Sequence, residues 1–151
     1  MAVATPTVHA SAVLAGARAV LIRGPAGAGK SRLVLAVIQA AETGLLRFAR
    51  LVGDDRVHLE PHHDRLLVRP ACSLAGLIEV RGVGIRRLEH ERVAVVGLVV
   101  DLGCDDAERL PTAAETAVLG VRLPRLAIAA GTDPLPAVLA VLRLPADRDH
   151  H

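Results

Sequence analysis

Short apolar runs alternate with two longer segments along the chain, and this pattern predicts an α/β domain. The run at 18–23, RAVLIR, is apolar and β-branched, as is typical of a buried parallel strand. The run at 93–102, VAVVGLVVDL, predicts a central strand. Apolar residues and good helix formers predict helices at 33–41 and 135–144. Pro136 is compatible with the second helix because proline is tolerated in a first helical turn.

Shorter apolar runs predict further strands, at 48–52, 57–59, 66–68, 78–80 and 126–130. Two of these strands flank the turn at 61–64, which predicts a β-hairpin. The segment 11–17 predicts a turn or a short strand. Because nothing repeats and no low-complexity linker interrupts the pattern, we expect one domain over 1–151, with a disordered polar tail at 145–151.

Composition narrows the class of protein. Apolar residues make up 52% of the 151 residues and the mean hydropathy is +0.41, which excludes intrinsic disorder and allows a sizeable core. No apolar run is long enough to span a membrane, and the first residues lack a signal-peptide pattern, so we expect a cytoplasmic protein without a membrane partner. Phe48 is the single aromatic residue among Phe, Trp and Tyr, which excludes stacking of nucleobases on aromatic side chains.

The charge pattern argues against a nucleic-acid surface. The formal net charge is only +2, and the basic residues are scattered among acids. Lys30 is the only lysine among the 18 basic residues. Cys72 and Cys104 fit no metal-binding spacing, so reduced thiols are expected in a cytosolic protein.

One motif carries a specific chemical signal, because GPAGAGKS at 24–31 fits the phosphate-binding pattern G-x-x-x-x-G-K-[ST] between a predicted strand and a predicted helix. In such a loop, glycines let successive N–H groups point at a phosphate, and the helix N-terminus adds a positive dipole end. Lys30 would reach the β- and γ-phosphates and the Ser31 hydroxyl would bind Mg²⁺. A glycine-rich turn that only caps a helix is the alternative. The predicted nucleotide-binding residues are Gly24, Pro25, Ala26, Gly27, Ala28, Gly29, Lys30 and Ser31.

Three acids are candidates for the same site. Asp54 and Asp55 follow a predicted strand, at the sheet edge where α/β proteins bind ligands, although Gly-Asp-Asp also suits an ordinary turn. We expect only one of the two to face the nucleotide, with the other holding a neighbour such as Arg56. Glu79 lies in an apolar run and needs a cation, which is either a metal or Arg81 two residues later.

The histidines and Arg109 carry little information by themselves. His9 is isolated near the start, where a solvated side chain is the simpler interpretation. Three further histidines cluster around the predicted hairpin turn without a supporting ligand pair, which favours a solvated tip over a metal site; they are His58, His62 and His63.

Taken together, four blocks resemble the C-terminal catalytic domain of HPr kinase/phosphorylase, in a short form without the N-terminal domain. The blocks are Val8-His9, GPAGAGKS at 24–31, LVGDDRV at 51–57 and LIEVRGVGI at 77–85, of which the last is the most specific. The segments around Arg109 and at 123–128 extend the match. The resemblance implies an α/β, PEP carboxykinase-like P-loop kinase domain with a mixed β-sheet.

The resemblance also implies an activity: ATP- and Mg²⁺-dependent phosphorylation of a serine on the phosphocarrier protein HPr, in regulation of the phosphotransferase system. It assigns catalytic roles to His9, Lys30, Asp55 and Arg109, with Asp55 as the acid/base residue. It assigns the metal to Ser31, Glu79 and Asp54. Because family members are typically hexameric, a homo-oligomer is implied.

Two departures from the family pattern bear on activity. Arg32 follows the P-loop serine where the family usually has Glu, which is expected to weaken any second metal site. The late loop at 129–134, AAGTDP, lacks the family's arginines, and this predicts a kinase with weak or absent phosphorylase activity. Two alternatives remain open: a small-molecule P-loop kinase, although no arginine-rich lid is visible, and an ATP-sensing module without catalysis.

Overall fold

The computed structural model describes residues 6–104 and 115–144. Strands dominate the first two thirds of the chain, interrupted by one helix: β1 Thr7–Val8, β2 Ser11–Ala15, β3 Arg18–Arg23, α1 Lys30–Glu42, β4 Ala49–Gly53, β5 Val57–His62, β6 Arg65–Pro70, a 3-10 turn Cys72–Leu74, β7 Leu77–Val80 and β8 Gly84–Arg87. The remaining elements are β9 Ala94–Leu102, β10 Glu115–Val118, β11 Val121–Ile128 and α2 Leu135–Arg143.

The main sheet has nine strands and mixed directions. Its order is β1-β5-β6-β9-β3-β2-β4, with β11 also paired to β9 and β10 paired to β11. Strand β9 runs parallel to β3 and β11, whereas β2 is antiparallel to both β3 and β4. Strands β7 and β8 form a separate antiparallel hairpin. The predicted mixed α/β architecture is therefore confirmed.

Side chains of β3 enter two apolar cores on opposite faces of the sheet. Ala19 and Leu21 belong to one core, and Val20 and Ile22 to the other. All four are at most 1% exposed, which explains why this strand is apolar without alternation. Helix α1 covers the second face with Leu33, Val34 and Val37. Apolar packing on both faces therefore holds the sheet in place where β3 ends.

Most predicted elements are confirmed, with boundaries that differ by a few residues. The strand at 18–23 and the central strand at 93–102 appear as β3 and β9, and both predicted helices form. The segment 11–17 forms a strand rather than a turn, because β2 pairs on both of its edges. The strand predicted at 126–130 forms as β11, which begins earlier and is longer than predicted. Its first half pairs with β10, a strand that the pattern did not predict. The hairpin β5–β6 is also longer than predicted.

Two expectations fall outside the described residues: the position of Arg109 and the tail at 145–151. In the ranges that the structure describes, neither helix combines the length and apolar character needed to cross a membrane.

Candidate active site

The loop at 24–29 connects the end of β3 to the start of α1, as the phosphate-binding motif requires. Gly29 precedes the helix with a φ of 101°, a left-handed conformation that favours glycine. At Gly24, a Cβ atom would lie 3.1 Å from the Cβ of Leu102, so the loop passes tightly against the end of β9. No side chain of the described residues caps the N-terminus of α1. Its first amides are therefore directed at the space where an anion binds.

The ammonium group of Lys30 is held inside this loop. The residue is 7% exposed, and its Nζ donates hydrogen bonds to the carbonyl oxygens of Gly24, at 2.9 Å, and Pro25, at 3.2 Å. Among the described residues, no carboxylate forms an ion pair with Lys30. A nearly buried positive charge at a helix N-terminus is thus left for an anionic ligand to neutralise.

Asp54 supplies a buried negative charge next to the loop. It follows β4, is 5% exposed, and its carboxylate oxygens lie 2.7 and 2.9 Å from the hydroxyl of Ser31. The hydroxyl of Ser11, at 2.8 Å, and the amide of Glu79, at 3.4 Å, donate to the same carboxylate. All of these donors are neutral, and the described part of the chain provides no ion pair to Asp54. Its negative charge is therefore stabilised by hydrogen bonds and not by an opposite charge among the described residues.

Asp55 is next to Asp54 in the chain but forms its hydrogen bonds with His9 and Ser11. Its Oδ1 lies 2.7 Å from Nε2 of His9, and its amide donates to the Ser11 hydroxyl at 3.1 Å. Asp55 has a backbone φ of 68° and is exposed, whereas its neighbour Asp54 is buried. Neither acid forms an ion pair with Arg56 among the described residues, and Nη1 of Arg56 lies 3.4 Å from Oγ1 of Thr7. The expectation that only one of the two acids faces the nucleotide stays a prediction.

A cleft of about 530 Å³ joins these groups, which is a size typical of small-molecule sites. Eight of the predicted site residues line it, and Asp54 is not among them; the eight are His9, Ala26, Gly27, Gly29, Lys30, Ser31, Asp55 and Glu79. Arg32 and Arg81 add positive charge to the same walls. Arg81, one of the two cations considered for Glu79, forms no ion pair with it among the described residues, and Glu79 is exposed.

Sequence reasoning missed Asp101 at the end of β9. An acid after a run of apolar residues, on the strand beside the P-loop strand, is where many P-loop proteins hold their metal. Here two arginines occupy its oxygens: Arg23 through Nε at 2.7 Å and Nη2 at 2.8 Å, and Arg125 through Nε at 2.6 Å. Burial by itself raises the pKa of Asp101, but these hydrogen bonds and charges outweigh it and hold the pKa below its ordinary value. Asp101 therefore has its charge neutralised by two arginines, whereas Asp54, at the end of another strand, has neutral donors only.

Of the three histidines expected at a solvated hairpin tip, His62 and His63 are exposed there, whereas His58 lies near the start of β5 and is half-buried. The rings of His62 and His63 pack edge to face at the hairpin tip, 4.6 Å apart. Within the described ranges, no three His, Cys, Asp or Glu side chains converge as a closed metal centre.

A strand, a P-loop and a helix on a mixed sheet define a kinase-like α/β protein, and comparison with known proteins agrees. The solved structure of the HPr(Ser) kinase/phosphatase from Coxiella burnetii matches with a TM-score of 0.72 and 25% identity, over 91% of this chain and 93% of that chain. No protein-family model and no curated protein sequence matches the chain. The predicted resemblance to the HPr kinase/phosphorylase catalytic domain is therefore confirmed through its fold.

Proposed function

We propose that this protein is an ATP- and Mg²⁺-dependent kinase that phosphorylates a serine of HPr. The proposal is carried by two uncompensated charges at one cleft: Lys30 lines the cleft without a carboxylate partner among the described residues, and Ser31, which also lines it, donates its hydroxyl to the buried Asp54. A nucleotide phosphate chain with a divalent cation neutralises both at once. The structural neighbour, an HPr(Ser) kinase/phosphatase, supports HPr as the acceptor.

The P-loop residues bind the phosphates of ATP in this proposal. Lys30 leaves the carbonyl oxygens of Gly24 and Pro25 and turns to the phosphate oxygens, exchanging neutral acceptors for charged ones. The N-terminal amides of α1 face the same oxygens. Charge on the transferred group is thereby stabilised in a partly enclosed cleft.

The donor set suits Mg²⁺, which prefers oxygen ligands and commonly takes one or two carboxylates together with substrate phosphates. Ser31, Asp54 and Glu79 would hold it: the first two are already hydrogen-bonded, and the Glu79 amide lies 3.4 Å from the Asp54 carboxylate. When bound, the ion supplies positive charge to the phosphoryl oxygens.

Asp55 is the proposed base for the transfer. The serine hydroxyl oxygen forms a bond to the γ-phosphorus, the bond to the bridging oxygen of ADP breaks, and the hydroxyl proton passes to Asp55. His9, 2.7 Å from Oδ1, fixes the direction of that carboxylate and leaves the other oxygen available. Arg109, outside the described residues, is proposed to face the phosphates by family resemblance.

The reverse reaction is proposed to be weak or absent. The loop at 129–134 lies between β11 and α2 and contains no arginine to hold inorganic phosphate. Assembly as a homo-oligomer, a hexamer by family resemblance, and a cytoplasmic location belong to the same proposal.

Incubation with γ-labelled ATP, Mg²⁺ and HPr tests the proposal. We expect label on a serine of HPr, and little pyrophosphate when phosphoserine-HPr is supplied with inorganic phosphate. Label on a small molecule would replace the proposal with a small-molecule kinase. Nucleotide binding without transfer to any acceptor would replace it with an ATP-sensing module, the alternative suggested by Arg32 in the cleft.

A further inference from the structure

The hairpin β7–β8 exposes aliphatic side chains next to the cleft. All four residues of β8 are exposed, and Ile85 is 65% and Val83 54% accessible. Strand residues of this type normally bury one face. Both side chains therefore lie on an apolar surface without cover in the described part of the chain.

The pairing register places this surface beside the site. Ile85 is directly opposite Glu79, and Arg87 is opposite Leu77. Residues directly opposite in an antiparallel pair project from the same face, with Cβ atoms about 5 Å apart. Because Glu79 lines the cleft, Ile85 and Arg87 continue the cleft wall outward.

The same hairpin carries unpaired positive charge. Arg81, Arg86 and Arg87 are all exposed, and none forms an ion pair with an acid among the described residues. The guanidinium of Arg86 donates to the carbonyl of Ile85 at 3.1 Å. The core of a protein interface is more apolar than the rest of the surface, and arginine is enriched at interfaces.

The opposite face anchors the hairpin. Ile78 is 1% exposed and packs with Val80 against the core beneath α1. The amide of Leu88 donates to the carbonyl of Gly76 at 2.7 Å, which closes the base of the hairpin. The exposed face is therefore presented on a fixed platform.

We propose that the hairpin patch, formed by Arg81, Val83, Ile85 and Arg87, docks the protein acceptor of the phosphoryl group. This inference rests on the proposed kinase function. The complementary surface on the acceptor is apolar with carboxylates at its edge, adjacent to the reacting hydroxyl. The same patch on a second copy of this chain is a poorer complement, because its arginines would face Arg81 and Arg87.

Binding of HPr, measured by calorimetry with Mg²⁺ and a non-hydrolysable ATP analogue, tests the docking surface without requiring transfer. Ile85→Ser and Arg87→Glu are each expected to weaken HPr binding roughly tenfold, while leaving nucleotide affinity unchanged. In the kinase assay the same variants raise KM for HPr with little change in kcat. Ile85→Val should retain binding.

Matched controls lie at the far end of α1, beyond the 13 residues of that helix. Leu45 is 43% exposed and Arg47 is exposed, and neither lines the cleft. Leu45→Ser and Arg47→Glu should bind HPr as the unaltered chain does.

The outcomes separate the two proposals. Unchanged HPr binding by both hairpin variants, or equal losses in the controls, overturns the docking surface. A changed oligomeric mass for Ile85→Ser, measured by light scattering, assigns the patch to copies of the chain and also overturns it. Hairpin-dependent binding without phosphoryl transfer overturns the kinase function but retains the docking surface. If the unaltered chain neither binds nor labels HPr, both the docking surface and the proposed kinase function are wrong.

Discussion

Replacing Asp101 by Asn tests whether this strand-end acid stabilises the fold rather than binding metal. Its carboxylate accepts three hydrogen bonds of 2.6–2.8 Å from Arg23 and Arg125. The side chain is 13% exposed, against 35% for Arg23 and 15% for Arg125. Asn keeps the shape and one acceptor oxygen but removes the charge that both guanidinium groups share.

The expected loss follows from these exposures. Removing one partner of a fully buried ion pair costs about 3–5 kcal/mol. Arg23 is more than a third exposed and becomes rehydrated, and Asn still accepts one bond, so we expect about 2 kcal/mol at pH 7. For a protein of this size that corresponds to a fall in Tm of roughly 5 °C.

Urea unfolding of the two proteins between pH 7 and pH 3 measures this loss. Because the pKa of Asp101 is lowered in the folded state, its contribution is complete above the unfolded value of 3.8 and is lost as the pH falls through the folded pKa. The two stabilities should therefore converge in acid. Asp54→Asn is the matched control: it should weaken Mg²⁺-dependent nucleotide binding, which Asp101→Asn should not. The reverse result for the two acids would refute our assignment of the metal site.

Three further substitutions address the site. Lys30→Ala removes the buried ammonium, and we expect kcat/KM for HPr phosphorylation to fall at least about a hundredfold. Asp55→Asn removes the proposed base, so the transfer rate should fall by about 10²–10⁴ while nucleotide affinity, measured by calorimetry, changes little. Arg32→Glu exchanges a cation on the cleft wall for a carboxylate, and the Mg²⁺ concentration for half-maximal activity should decrease.

Each of these expectations has a clear contrary result. Full nucleotide affinity and activity in Lys30→Ala would show that the loop does not bind phosphate. An unchanged transfer rate in Asp55→Asn would exclude it as the base. No change in Mg²⁺ dependence for Arg32→Glu would show that this position does not affect the metal.

The apolar patterns predicted the elements around the cleft because those patterns are local. The run at 18–23 is apolar at its four inner positions, and these four residues of β3 are buried on both faces of the sheet. The sequence pattern did not predict strands, or strand lengths, that depend on pairing with a distant strand. The pattern did not predict β10, because its four residues mix polar and apolar types and the strand forms by antiparallel pairing with β11. The hairpin β5–β6 is longer than predicted because the residues at 60–62 and 65–67 also pair with each other.

The amino-acid sequence alone determined the phosphate-binding loop, since its glycines, lysine and serine are contiguous and act through local backbone conformation. It also determined which acids were candidates. Their hydrogen-bond partners depend on the tertiary structure: His9 lies 46 positions from Asp55, and Ser31 lies 23 positions from Asp54. Asp101, which the sequence analysis did not single out, binds two arginines from distant strands. The physical reason is that the state of a carboxylate depends on the charges and donors packed around it, and those come from distant strands.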